Sequence, residues 1–103
     1  MNKSTDQIVH GMLFFAVLAL LDKRENYAAS ILLELEATPF KTKVGTLYPL
    51  MTRMQKSGLI ESRWVIKKGK PPMRYYKNTK EGYGVLVELR STMKHINNTL
   101  GVE

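Results

Sequence analysis

The chain has 103 residues, of which 44% are hydrophobic and 24% are charged, a composition that indicates one ordered domain and disfavours intrinsic disorder. It contains no cysteine, which excludes a disulfide framework, thiolate catalysis and cysteine-ligated metal sites. The formal net charge is +7, and such an excess indicates a polyanionic partner, either nucleic acid or an anionic membrane surface.

The positive charge is concentrated in the middle of the chain. Residues 1–40 carry a net charge of −2 and residues 81–103 carry −1, whereas residues 41–80 carry +10 because Glu61 is their only acidic residue. The basic residues of this middle segment alternate with Tyr, Trp, Leu and Ile. They therefore indicate a folded basic surface rather than a disordered basic tail.

The first predicted helix covers residues 8–21, IVHGMLFFAVLALL, and is apolar on nearly every side. It is too short to cross a bilayer, which takes about 20 residues, and the charged residues that flank it disfavour a secretory signal. A helix that is apolar all round must be buried all round. We therefore predict that part of it packs against a second subunit.

Two further helices are predicted before residue 60. The spacing of apolar residues predicts the second over 28–37, ended by Thr38-Pro39. The third runs from an N-cap at Thr42 to Lys56, with Gly58 after it in the left-handed cap position. Its core stripe is Leu47, Leu50, Met51 and Met54.

The apolar period then changes from helical spacing to alternation, which predicts a β-hairpin. Its strands are predicted over Ile60 to Lys67 and Met73 to Asn78, and a turn with basic side chains connects them. Trp64 shares a strand face with Ile60 and Ile66, so we predict that it packs in the core.

Thr79 is the predicted N-cap of a last helix that reaches about Leu100. Its apolar residues are spaced alternately three and four positions apart, which is typical of a helix that pairs with another helix. Because this seam is only two heptads long, it could instead pack within its own chain. The predicted dimerisation residues are Met12, Phe15, Leu86, Leu89, Met93, Ile96 and Leu100. Three of them are also candidates for a hydrophobic effector pocket at that seam: Met12, Phe15 and Met93.

The predicted order is three helices, a hairpin and a last helix, and the basic residues lie on the third helix and the hairpin. This arrangement is typical of a winged helix-turn-helix. The predicted fold class is mainly α (α+β). We assign residues 1–78 to the winged helix-turn-helix domain and residues 79–103 to a C-terminal dimerisation helix in the same compact unit.

The third helix is predicted to enter the major groove of DNA, and the hairpin, or wing, to reach the adjacent backbone. Its basic side chains would neutralise phosphates, Gly45 would allow close backbone approach, and Tyr48 and Thr52 would touch base edges. The candidate contacts are Lys41, Lys43, Gly45, Tyr48, Pro49, Thr52, Arg53, Lys56, Lys67, Lys68 and Lys70.

Two segments of the sequence, GTLYPLMTRMQKSGLIES (residues 45–62) and GKPPMRYYKNTKEG (residues 69–82), resemble the recognition helix and wing of the PadR family of transcriptional regulators. HGMLFFAVLALL and NYAASILLELE resemble its first two helices. The sequence departs from the family pattern at Asn26-Tyr27-Ala28-Ala29, where Tyr-Gly-Tyr is usual, and at Asn78, where an apolar residue is usual.

The PadR resemblance implies a homodimeric repressor that binds double-stranded DNA at an inverted repeat and is released by a hydrophobic or aromatic small molecule. It adds Thr46 and Arg74 to the candidate DNA contacts. It also implies a cytoplasmic, nucleoid-associated protein of bacterial or archaeal type, with no cofactor and no membrane partner.

Other functions fit the sequence less well. No grouping of nucleophile, base and acid predicts an enzyme, and His10 and His95 have no second ligand at metal spacing. A protein-interaction or membrane-surface module that uses the apolar first helix stays open as the alternative, and a protein that acts mainly as a small-molecule sensor is a third hypothesis.

Overall fold

The structure, a computed structural model, describes residues 11–101. Within them lie four α-helices and one antiparallel hairpin, in the predicted order, which confirms the mainly α winged helix-turn-helix fold. The elements are α1 (Leu13–Lys23), α2 (Ala28–Leu35), α3 (Val44–Lys56), β1 (Ile60–Val65), β2 (Met73–Asn78) and α4 (Lys80–Leu100).

The hydrophobic core forms where the four helices meet the base of the hairpin. Its buried apolar side chains are Leu13, Ala16, Val17, Leu18, Leu21, Ile31, Leu35, Leu47, Met51, Met54, Ile60 and Leu86. Only Ile60, the first residue of β1, comes from the hairpin. Tyr76 of β2 is half-buried and packs against this core, whereas the turn of the hairpin is exposed.

Helix α1 supplies more buried side chains than any other described element. Its remaining apolar residues, among them Phe14, Phe15 and Leu20, are half-buried against the same core. Residues 8–10, where this helix was predicted to begin, lie outside the described residues. Within residues 13–23, most of the apolar surface is used by the chain's own core, so the membrane-surface alternative loses much of the face on which it depends.

Helix α3 begins later than predicted. Its N-cap is Lys43, which makes no side-chain capping bond, and not Thr42. The Lys43 carbonyl oxygen accepts the first helical hydrogen bonds, from the amides of Thr46 (3.0 Å) and Leu47 (2.9 Å). The predicted end is confirmed, since α3 stops at Lys56 and Gly58 adopts a left-handed φ of 77°.

The hairpin pairs residues 60–65 with residues 73–78, so β1 ends at Val65 and not at Lys67. The prediction that Trp64 packs in the core is wrong, because its side chain is 59% exposed. Ile66, which lies just beyond the end of β1, is also exposed. The alternating pattern placed Trp64 correctly on the face of Ile60, but of these residues only Ile60 is buried in the core.

The loop between α1 and α2 attaches to the hairpin at two points. Asn26 forms a β-bridge with Tyr76, in which the Asn26 amide donates to the Tyr76 carbonyl (3.0 Å) and the Tyr76 amide to the Asn26 carbonyl (2.7 Å). Arg63 donates two hydrogen bonds to the Glu25 carboxylate, at 2.8 and 2.7 Å. Both strands of the wing are thereby held to this loop, β2 through backbone hydrogen bonds and β1 through a side-chain ion pair.

Helix α4 follows β2 with no intervening loop. The predicted N-cap is confirmed: the Thr79 hydroxyl accepts a hydrogen bond from the Gly82 amide (3.0 Å) and donates one to the Gly58 carbonyl (2.6 Å). A Cβ atom on Gly82 would overlap the carbonyl oxygen of Leu59. Only glycine fits there, because α4 contacts the backbone of Leu59, in the connection between α3 and β1.

The predicted apolar seam of α4 divides into two parts. Leu86 is fully buried in the core of its own chain, which corrects its assignment to the dimer seam, since it presents no surface to a partner. Leu89 packs against the same core, whereas Ile96 and Leu100 are exposed. No helix within residues 11–101 has the length and hydropathy needed to cross a membrane.

Candidate nucleic-acid interface

Helix α3 turns one face outward from the core. Leu47, Met51 and Met54 are buried, so the residues on the opposite side of the helix face solvent. Of the residues predicted to contact DNA, all are exposed except Thr46, which is half-buried. Tyr48 is 38% exposed, which leaves one part of its ring packed and the other part free.

The exposed face of α3 carries unusual backbone and hydroxyl chemistry. Pro49 lies inside the helix and has no amide hydrogen, so the carbonyl of Gly45 lacks its usual helical donor. The Thr52 hydroxyl donates to the Tyr48 carbonyl (3.0 Å), which leaves its lone pairs free to accept. This surface therefore accepts hydrogen bonds as well as presenting positive charge.

The N-terminal end of α3 is basic. No acidic residue lies in its first turn, and Lys41 and Lys43 precede it with exposed side chains. The first-turn amides of a helix carry a partial positive charge, so the two lysines and the helix end reinforce one another. A phosphate group is the kind of anion that binds at such an end.

The tip of the wing is a turn with three lysines. Lys67, Lys68 and Lys70 are exposed, and Gly69 takes a left-handed φ of 76° that lets the turn close. The ammonium nitrogen of Lys67 lies 5.6 Å from the centre of the Tyr75 ring. The tip therefore places several positive charges beyond the core.

Arg74 is held differently from the lysines of the turn. It is the direct cross-strand partner of Trp64, and its guanidinium carbon lies 4.9 Å from the centre of the indole ring. This is a cation–π arrangement. The ring of Trp64, which was predicted to pack in the core, thus stacks against an exposed arginine.

A cleft of about 340 Å³ separates α3 from the wing. Its lining residues are Tyr27, Ala28, Ala29, Tyr48, Met51, Thr52, Pro72, Met73, Arg74 and Tyr76. The cleft brings together three residues that were predicted to contact DNA, namely Tyr48 and Thr52 on α3 and Arg74 on the wing. The sequence did not indicate Tyr27 or Tyr76, because their position depends on the Asn26 bridge, whose pairing links residues fifty positions apart.

The cations of this surface lack acidic partners. Ion pairs among residues 11–101 join Arg24, Arg63, Lys77 and Arg90 to carboxylates. None of the described pairs involves a basic residue that was predicted to contact DNA. The positive charge of α3 and of the wing tip is therefore not neutralised by the described part of the chain.

The ion pair between Glu25 and Arg63 shifts the pKa of both groups. The hydrogen bonds from Arg63, with its positive charge, lower the pKa of the Glu25 carboxyl below its ordinary value of 4.5. The same contact raises the pKa of the Arg63 guanidinium. At neutral pH both groups are charged, and the pair holds the wing to the loop before α2.

The residues predicted for dimerisation and effector binding lie away from the α3–wing cleft. Met12 and Phe15, near the start of α1, and Met93, on α4, are half-buried. Helices α1 and α4 pack against each other. Within residues 11–101, histidine and carboxylate side chains form no group of three that could hold a metal ion, and His10 lies outside that range.

Comparison with known proteins identifies the family. The family model described as the transcriptional regulator PadR-like family matches residues 17–88. The structure of a PadR-like transcription factor from Bacteroides fragilis is 35% identical, with a TM-score of 0.81 and 97% of both chains covered. A PadR family regulator from Eggerthella lenta is 30% identical, with a TM-score of 0.81, covering 95% of this chain and 86% of that chain.

Bacillus subtilis PadR, solved in complex with operator DNA, is 25% identical, with a TM-score of 0.68, covering 75% of this chain and 45% of that chain. Among curated proteins, none matches the chain. The family match extends from within α1 to the first half of α4 and so includes the whole of α3 and the wing. The chain belongs to the PadR-like family of transcriptional regulators.

Proposed function

We propose that this protein is a sequence-specific DNA-binding regulator that acts as a homodimeric repressor at an inverted-repeat operator. The observation that carries the proposal is the unneutralised positive charge on two neighbouring elements, α3 and the wing. The related PadR of Bacillus subtilis, solved with operator DNA, supports the same use of this surface. Helix α3 enters the major groove, and the wing follows the adjacent backbone.

Each part of the surface has a distinct task in this proposal. Lys41, Lys43, Arg53 and Lys56 bind phosphates on either side of the groove and release counterions. Tyr48 and Thr52 lie on the exposed face of α3 and contact base edges, and Gly45, also exposed, allows the backbone to approach closely. Phosphate contacts supply most of the affinity, and the contacts from α3 supply the specificity.

The proposal is tested by titrating a labelled duplex from the region that precedes the protein's own gene, at several salt concentrations. Binding should weaken steeply with salt, and Arg53→Ala and Lys68→Ala should each lower the log–log slope by about 0.9, as expected for one lost phosphate contact. Lys94→Ala is the matched control, since it removes the same charge from exposed α4 and should leave the slope unchanged.

Two outcomes of this titration would contradict the proposal. Affinity that does not depend on salt would exclude phosphate neutralisation by this surface. Strong pelleting of the protein with anionic liposomes, together with no affinity for any duplex, would favour the membrane-surface alternative.

Repression is proposed to end when a hydrophobic or aromatic small molecule binds beside Met12, Phe15 and Met93. These half-buried side chains lie on α1 and α4, which pack together, and methionine adapts readily to planar ligands. A library of planar aromatic compounds should contain members that raise the melting temperature of the wild type but not of Met93→Ala. If no compound acts, or if Met93→Ala responds equally, the effector site is not there.

We propose no catalytic activity for the protein. Its family is one of transcriptional regulators, and the proposed task requires only binding. The proposed site of action is the nucleoid in the cytoplasm, where an operator is found.

A further inference from the structure

Trp64 is a large apolar side chain in an exposed place. It is 59% exposed on the wing, where an aromatic ring gains little by burial. Its ring contacts the side chain of its cross-strand partner Arg74, whose guanidinium carbon lies 4.9 Å from the ring centre. The ring therefore supports the arginine rather than the core.

The environment of Arg74 is typical of an arginine that binds a ligand. It lines the α3–wing cleft together with Tyr48 and Thr52, and it is the only charged residue among the lining residues. It forms no ion pair within the described residues. A guanidinium stacked on a ring loses rotamer freedom while the N–H groups at its edge stay free to donate.

We propose that Trp64 is a positioning residue that holds the Arg74 guanidinium at the mouth of the cleft, where it donates hydrogen bonds to a backbone phosphate of bound DNA. The inference rests on the proposed function and deepens it, because it assigns a DNA-binding role to a side chain that need not touch the nucleic acid. Stacking fixes the plane of the guanidinium before binding, and so lowers the entropy lost when a phosphate is bound.

The test is a double-mutant cycle on binding to a labelled mixed-sequence duplex at low salt. Trp64→Leu keeps the charge of Arg74 but removes the stack, and it should weaken binding about two- to fivefold. Arg74→Ala should weaken binding at least as much. The double variant should bind no worse than Arg74→Ala alone, because Trp64 acts through the arginine.

Two further variants separate positioning from a structural role. Trp64→Phe retains a ring and should restore most of the affinity. Ile66→Ala removes another exposed apolar side chain close to Trp64 in the sequence and should bind like the wild type. In the free protein, Arg74→Ala should shift the fluorescence of Trp64, the only tryptophan of the chain, because the ring becomes more exposed to water.

The outcomes distinguish this inference from the function on which it rests. If the wild type binds no duplex, the proposed function fails, and this inference fails with it. If the wild type binds and Trp64→Leu binds equally well, only the positioning role is overturned. If the two losses add in the double variant, Trp64 contacts DNA independently of Arg74, and the positioning role is again wrong.

Discussion

Three basic side chains of the hairpin show how residues of the same charge have different roles. Arg63 is bonded to Glu25 and ties the wing to the loop before α2. Arg74 is stacked on Trp64, and Lys68 projects from the turn without an ion pair among the described residues. The partner of each cation, and not its charge, decides whether it fixes the wing or is available to DNA.

The Glu25–Arg63 pair makes one contribution to stability dependent on pH. Because the folded state lowers the pKa of Glu25 below 4.5, this contribution is present above about pH 4.5 and is lost as the pH falls through the lower folded pKa. The free energy of unfolding of the wild type should exceed that of Glu25→Gln at pH 7, and the difference should shrink below pH 4.5.

Urea unfolding of both proteins between pH 7 and pH 3 measures this difference. Glu61→Gln is a suitable control, since the pair between Glu61 and Lys77 is exposed on both sides and surface pairs of this kind contribute little. A difference between wild type and Glu25→Gln that stays constant over the whole range would contradict the assignment.

At the scale of elements, the junction between α3, β1 and α4 depends on one glycine. Gly82 lies against the Leu59 carbonyl with no room for a Cβ atom, so Gly82→Ala must displace α4 or the connection between α3 and β1. We expect Gly82→Ala to lower the free energy of unfolding by about 2 kcal/mol or more, in the range of overpacked core positions.

Gly84, two residues further along α4, is the matched control. A Cβ atom there meets nothing within 4 Å, and alanine stabilises a helix interior by about 0.8–1 kcal/mol relative to glycine. Gly84→Ala should therefore raise the melting temperature by about 4 °C, while Gly82→Ala lowers it. Thermal unfolding followed by circular dichroism measures both, and equal effects would show that the contact with Leu59 is unimportant.

The elements whose signals are local were predictable from the sequence. A long helical pattern follows Thr79, and another ends just before Gly58. The residues next to each of them were therefore enough to predict both caps. The bridge between Asn26 and Tyr76 was not predictable, because nothing near Asn26 in the sequence indicates it. Trp64 was placed on the correct strand face, but how far the core extends beneath a hairpin depends on packing between distant segments.

At the scale of the molecule, α4 extends beyond the domain it belongs to. Leu86 is buried and Leu89 and Met93 are half-buried, but Ile96 and Leu100 are exposed. The helix has 21 residues, which is roughly 30 Å, and the proposed spacing of two α3 helices on B-DNA is roughly 34 Å. The length of α4 is therefore close to the spacing that the proposed dimer needs, and its last two turns leave apolar side chains exposed for a partner.

Ile96→Glu tests this dimer seam. In a two-fold dimer it places like charges near each other in an apolar interface, so we expect the dimer to weaken at least about tenfold, or about 1.4 kcal/mol. Asn98→Glu adds the same charge on the opposite side of the helix and should leave the dimer intact. Sedimentation equilibrium measures both, and a wild type that is monomeric at all concentrations would refute the proposed dimer.

The direct passage from β2 into α4 has a mechanical consequence. Asn78 ends the strand, Thr79 caps the helix, and Lys80 begins it, so no flexible hinge separates the wing from the C-terminal helix. A rotation of about 10° in α4 about its contact at Gly82 moves its far end by about 5 Å and tilts the wing at the same time. In the proposed dimer, a ligand that changes the angle between the two α4 helices would therefore alter the separation of the two wings without touching either.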